Sequence, residues 1–172
     1  MTKIVRLTAA VAALALSATP AFAAPTTPDK NATATAKIVK PLTLTWVQDL
    51  DLGTVLLSGA GSWTGATVGV SRAGVFSCTN TNVTCSGATK VAKYKVTGTN
   101  NQSVVINAGN VTMTNQNDNT KTLTMTIDNP GTLNLANSGA VGAEFSLGGS
   151  IDVASTTSDG TYVGTFNVTV NY

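Results

Sequence analysis

The chain has 172 residues, is 42% hydrophobic and only 10% charged, and contains no His. Its net charge of +2 resides in Lys3 and Arg6; beyond them eight basic residues face eight acidic ones. That balance argues against nucleic acid, which needs clustered Lys and Arg, and gives no steering toward an anionic membrane, while the missing His excludes Ser–His–Asp and Cys–His catalysis and leaves zinc without its usual ligands.

Residues 1–23 read as a signal peptide. Lys3 and Arg6 form a basic start, "LTAAVAALALSA" is a short apolar run, and "AFA" at 21–23 is a small-residue cleavage signal. The apolar run is too short for a permanent membrane span, so no transmembrane anchor is expected. Position 24 is Ala rather than Cys, so lipid attachment is not expected either. The chain is then exported through the inner membrane, to the periplasm and on to the cell surface. Residues 24–33, with two prolines and no packing pattern, read as a flexible arm. Residues 34–172 are long enough for one domain with one core.

Within that domain Ala34, Ala36 and Ile38 alternate with Thr35, Lys37 and Val39, and past Pro41 the alternation resumes through Leu42, Leu44 and Trp46. Short strands follow around Gly53–Leu57 and Ala66–Ser71. Cys78 and Cys85 in "CTNTNVTC" predict a small local disulfide in an oxidising compartment, worth about 2 kcal/mol. "KVAKYKVTGT" and "SVVIN" add strands. "VTMT" and "KTLTMTID" flank "NQNDNT" as a hairpin, with Leu123, Met125 and Ile127 on one face. "AEFSLGGSIDVAS" reads as a strand pair or a strand bulged at Gly148–Gly149. The run "GTYVGTFNVTVNY", 160–172, is the most regular period-2 segment of the chain. About seven to nine short strands with turn signals and no helical period predict an all-β, antiparallel sandwich.

Little here suggests catalysis. Glu144 is the only Glu, and no cofactor, metal site or enzymatic activity is expected. Asp49 and Asp51 share a strand face and could hold a hard cation, but they read better as solvated partners of buried Leu50 and Leu52. "NQNDNT" lacks the spacing of a calcium loop. An isopeptide crosslink of Lys and Asn assisted by Glu144 rests on residues common enough to coincide by chance. Trp46 sits on an apolar strand parity and is expected in the core; Trp63, in a Gly-rich loop, is the expected surface contact for a ligand such as a glycan.

The ends carry the most information. The final run has no charged residue and no Pro, so its outer edge is a pairing template that something must cover. The alternating segment from Thr33 to Val39 can cover it, in the same chain or in a neighbour. A neighbour's strand makes a head-to-tail contact that does not close, which is a fibre.

"GTYVGTFNVTVNY" resembles the closing strand of archaic chaperone–usher pilins and spore-coat U domains, with its G-x-Y-x-x-x-x-x-V-x-V-x-Y pattern. "DLDLGTV", 49–55, resembles their early L-x-F-G-T segment. "ATAKIVKPLTL", 34–44, and "FSLGGSIDV", 145–153, are similar to a family of exported bacterial domains of unknown function related to those pilins. The resemblance implies an immunoglobulin-like sandwich, incomplete and completed by strand exchange. A periplasmic chaperone and an outer-membrane usher would assemble copies of the chain, or related subunits, into a surface fibre or coat. Carried over, Phe166, Val168, Val170 and Tyr172 would edge the acceptor groove, and Ala34, Ala36, Ile38 and Leu42 would be the donor. Ala34 and Ala36 are small, and at about 0.8 kcal/mol per buried methylene they make a lighter plug than Val or Leu would. The alternative is a solitary secreted monomer whose N-terminal strand covers its own sheet, binding a ligand through Trp63.

Overall fold

The computed structural model describes residues 26–27, 29–136 and 141–172; the expected signal peptide lies outside the described residues. Residues 37–172 form the compact unit. Ahead of it, the described residues through Ala36 are exposed and have no regular structure. The alternation of Ala34–Val39 thus produces no strand, and the first ladder begins after Pro41, which has no N–H to give.

Every regular element among the described residues is a strand: β1 Thr43–Gln48, β2 Thr54–Leu57, β3 Ala66–Val70, β4 Phe76–Ser77, β5 Val83–Ser86, β6 Ala92–Thr97, β7 Ser103–Ala108, β8 Val111–Asn115, β9 Thr122–Asp128, β10 Thr132–Asn134, β11 Ala143–Val153, β12 Tyr162–Val163 and β13 Val168–Asn171. All pairings are antiparallel. The larger sheet runs β1-β6-β11-β9-β8-β12, with β3 also on β11 and β4 on β3; β10-β7-β13 form a second sheet and β2-β5 a small third one. Val96 and Leu147 of the large sheet and Val104 and Ile106 of the second are fully or almost fully buried, so the two sheets face one another across a shared core. The architecture is the expected all-β sandwich.

Strand β11 organises it. Its first half, Ala143–Leu147, pairs with β6; its second half lies between β3 and β9. No bulge occurs at Gly148–Gly149. The strand is continuous there, and the glycines mark the change of partners. A side chain on Gly148 would collide with the Val70 carbonyl oxygen and the Arg72 backbone nitrogen, so the end of β3 packs directly on bare backbone.

The β8–β9 hairpin forms as the pattern predicts, with Met125 and Ile127 buried. Its tip is organised by Asn115, the one buried polar residue among those described. The Asn115 Oδ1 accepts from the Asn117 N–H, 2.8 Å, and its Nδ2 donates to the Asp159 carbonyl, 2.8 Å. The oxygens of "NQNDNT" are thereby used in turn geometry: Asp118 Oδ1 accepts from the Thr120 hydroxyl at 2.7 Å. Those bonds, the hydroxyl first and the Thr120 N–H second, hold the Asp118 carboxyl below its ordinary pKa.

Candidate functional site

The last run of the chain is not one ladder. Tyr162–Val163 pair with β8 in the large sheet, and Val168–Asn171 pair with β7 in the second sheet. The segment between them crosses from one sheet to the other while keeping its alternation: Tyr162, Gly164, Phe166, Val168 and Val170 are half-buried and their neighbours exposed. Period 2 reports which face a residue occupies, not which strand it pairs with.

Strand β13 has β7 on one edge and, among the described residues, no partner on the other. The consequence is visible in the side chains. Val104 and Ile106, on the inner row of β7, are 0% and 2% exposed. Phe166, Val168 and Val170, on the inner row beside it, pack on the same core but remain half-buried. Burying a Val or Phe side chain fully is worth about 1.5–3 kcal/mol, and part of that remains unrealised along this row.

Strand β1 is the edge of the facing sheet, with only β6 beside it. Its core-facing Leu44, and Leu42 just before it, are likewise half-buried. The two edges meet at one end of the sandwich. The Tyr172 hydroxyl donates to the Lys40 carbonyl, 2.6 Å, and accepts from the Thr99 N–H, 2.8 Å. Leu42 and Tyr172 converge on Gly98, where an added Cβ would lie 2.7 Å from Leu42 Cδ2 and 2.6 Å from the Tyr172 oxygen. These two open edges make a flank of the sandwich, and among the described residues neither has a second strand beside it.

Of the expected acceptor residues, Phe166, Val168 and Val170 pack half-buried on the core beside β7, and Tyr172 is held by its bonds to Lys40 and Thr99. Of the expected donors, Ala34, Ala36 and Ile38 are exposed, Ile38 at 89%, while Leu42 is packed in its own domain. Cys78 and Cys85 are bonded, with Cα atoms 6.3 Å apart, tying the segment after β4 to β5.

The two tryptophans exchange the places expected of them. Trp63 is half-buried: its backbone N–H donates to Ser155 Oγ, 3.1 Å, its carbonyl accepts from the Ser155 N–H, 3.1 Å, and these bonds fold the Gly-rich loop onto the core. Trp46 does occupy a core-facing position, directly opposite Tyr94 in the β1–β6 register, and Tyr94 stacks on buried Phe145 at 5.7 Å. It is nevertheless 58% exposed, because an edge strand has a neighbour on one side only. Sequence reasoning missed Trp46 and Leu44 as part of the flank, although they share the parity of Leu42. Asp49 and Asp51 serve local structure: Asp49 Oδ1 accepts from Trp46 Nε1, 3.0 Å, and Asp51 Oδ1 from the Gly53 N–H, 2.8 Å. Burial, and after it the Asp49 charge, raises the Tyr94 hydroxyl above the ordinary phenol pKa.

A second depression, about 370 Å³, lies beside the first half of β11, lined by Arg72, Lys93, Pro130, Leu133, Glu144 and Ser146 along with Phe145. Arg72 is already engaged there with Asp128, 3.3 Å, and with the Asn129 carbonyl, 2.9 Å. Among the described residues no helix is long and apolar enough to cross a membrane, and no cluster of three or more metal-ligating side chains occurs.

Residues 42–172 match the model of a family described as Domain of unknown function (DUF4402). No curated protein and no solved structure matches the chain.

Proposed function

The chain belongs to the DUF4402 family, and for it we propose the role of a non-enzymatic, pilin-like structural subunit, exported to the cell surface and assembled by strand exchange. The N-terminal arm of one copy, with Ala34, Ala36 and Ile38 as donor side chains, adds to the free edge of β13 in the next. Main-chain hydrogen bonds supply the hold, and alternate side chains complete the core. A contact between two different surfaces of the same chain propagates, so the product is a fibre. A periplasmic chaperone would cover the edge before assembly, and an outer-membrane usher would exchange it for the arm.

One observation supports this reading above others: the inner row of β13 is half-buried beside a β7 row that is sealed. Such an uncharged edge invites aggregation unless a strand is supplied to it. The exposed, alternating arm has a sequence pattern suited to becoming that strand.

The test is an SDS gel of protein sheared from cells, with and without boiling. The unboiled lane should show a ladder that collapses to one band on boiling. Removal of Ala24–Lys40 should abolish the ladder. A single monomer band in both lanes, with monomeric light scattering, would rule strand exchange out.

A further inference from the structure

Trp46 is an anomaly of placement: it stands in a core-facing row and yet is 58% exposed. Residues opposite one another in an antiparallel pair share a face. Trp46 opposes Tyr94, and Tyr94 opposes Phe145, so the three rings form one row from edge to core, with Phe145 buried. The Trp46 ring is also held. Its Nε1 donates to Asp49 Oδ1, and the register shift just after it ends the regular ladder of β1 at that point. This is a large, fixed apolar surface exposed on edge strand β1, on the same parity as half-buried Leu44.

Size and connection point to what would cover it. The chain's own arm enters β1 through Pro41, and its residues 34–39 form no strand. An edge that already carries a bulky exposed indole suits an added strand with small side chains better than one with large ones. The segment Ala34–Val39 presents alanine at two successive inward positions, the feature that makes it a light plug for an empty groove. Resting on the strand-exchange reading above, we propose that Trp46 forms a wall of the acceptor cleft and that the Ala34–Val39 segment of a second copy docks against it, with Ala36 facing the ring. Bulk in the wall thus matches smallness in the donor, and the pair sets which arms fit.

The experiment uses the mature chain carrying Ala36→Pro, which disables its own arm as a strand, and Trp63→Phe, which leaves Trp46 as the one indole. The probe is a fluorescein-labelled peptide of residues 31–40, followed by anisotropy. Binding should shift the Trp46 emission to shorter wavelength and reduce its quenching by acrylamide. A peptide with Ala36→Leu should bind about tenfold more weakly, since overpacking a filled site is unfavourable. On a receptor with Trp46→Ala the preference should reverse, the Leu peptide binding the tighter. If both peptides bind alike and the Trp46 emission stays fixed, the wall assignment is wrong while strand exchange stands. If neither peptide binds, strand exchange itself fails and the wall falls with it.

Discussion

The middle of β11 and the outer side of β13 are opposite solutions to the same problem. Both are stretches of backbone whose hydrogen-bonding groups need partners. Along Gly149–Ile151, β11 has β3 on one edge and β9 on the other, and the approach is close enough that Gly148 admits no side chain. Strand β13 has one partner, and its inner side chains are left half-covered. Both alternate inward-facing apolar residues with more exposed polar ones. The difference lies in what the remainder of the described chain supplies, and it separates a strand paired on both edges from one paired on a single edge.

Substitution should break this comparison most sharply in the core. Leu147 is wholly buried in β11, and Leu147→Ala is expected to cost about 3 kcal/mol by urea unfolding of the subunit. Val168→Ala on β13 should cost about 1 kcal/mol or less, since the site is already partly open, but it should weaken the unboiled ladder. If Val168→Ala were as destabilising to the isolated subunit as Leu147→Ala, the edge would already be sealed.

The disulfide provides a control on a third region. Replacing Cys78 and Cys85 together by Ala should lower stability by about 2 kcal/mol, read from the urea midpoint. The bond ties the segment after β4 to β5, outside the β1–β13 flank, so the ladder should persist once the protein is folded. Loss of the ladder with the fold intact would mean that the β2–β5 region takes part in assembly.

How much of this was legible in the sequence follows the same division. Local features were readable because they are coded by neighbours: the β8–β9 hairpin from its tip, the disulfide from its spacing, the apolar rows from period 2. Partners were not. Gly148–Gly149 look like a bulge when the strand is read alone, and only β3 crossing beside them explains the absent side chains. The run from Tyr162 to Tyr172 has one unbroken alternation and yet serves two sheets. Trp46 has the parity of a core residue, and its exposure follows from β1 being an edge strand with β6 alone beside it. Trp63 lies in a loop that composition marks as surface, and two backbone bonds to Ser155 fold it inward. The absence of charge at the C-terminal edge was readable from sequence; the half-burial it leaves required coordinates.

A smaller effect tests the closed end of the flank. Tyr172→Phe keeps the ring and removes the hydroxyl that lies against Gly98 and joins the Thr99 N–H to the Lys40 carbonyl. Net hydrogen bonds of this kind are worth about 0.5–1.5 kcal/mol each. The expected loss is about 1 kcal/mol, because water reaches the freed groups. A larger loss would show that the Tyr172 bond holds the root of the arm in place for the whole domain rather than locally.

The subtlest prediction concerns Tyr94, which sits between the buried Phe145 and the exposed Trp46. Burial of its ring, and then the Asp49 carboxylate, raise its folded pKa above the ordinary value of 10.0. A raised pKa means that the folded state keeps the phenol proton where the unfolded chain has released it. The associated stability is therefore present below pH 10 and declines as pH rises from there through the folded value. Tyr94→Phe should flatten that alkaline decline, measured as urea midpoints at pH 9 and above, relative to the parent chain. The comparison sharpens in the polymer. A strand laid over the Trp46–Tyr94 row removes more water from the phenol, so its ionisation, followed by absorbance near 295 nm (about where phenolate absorbs), should move to higher pH in boiling-sensitive polymers than in monomers. An unchanged titration in the polymer would place the added strand elsewhere than over this row, because an uncovered ring has no further desolvation to suffer.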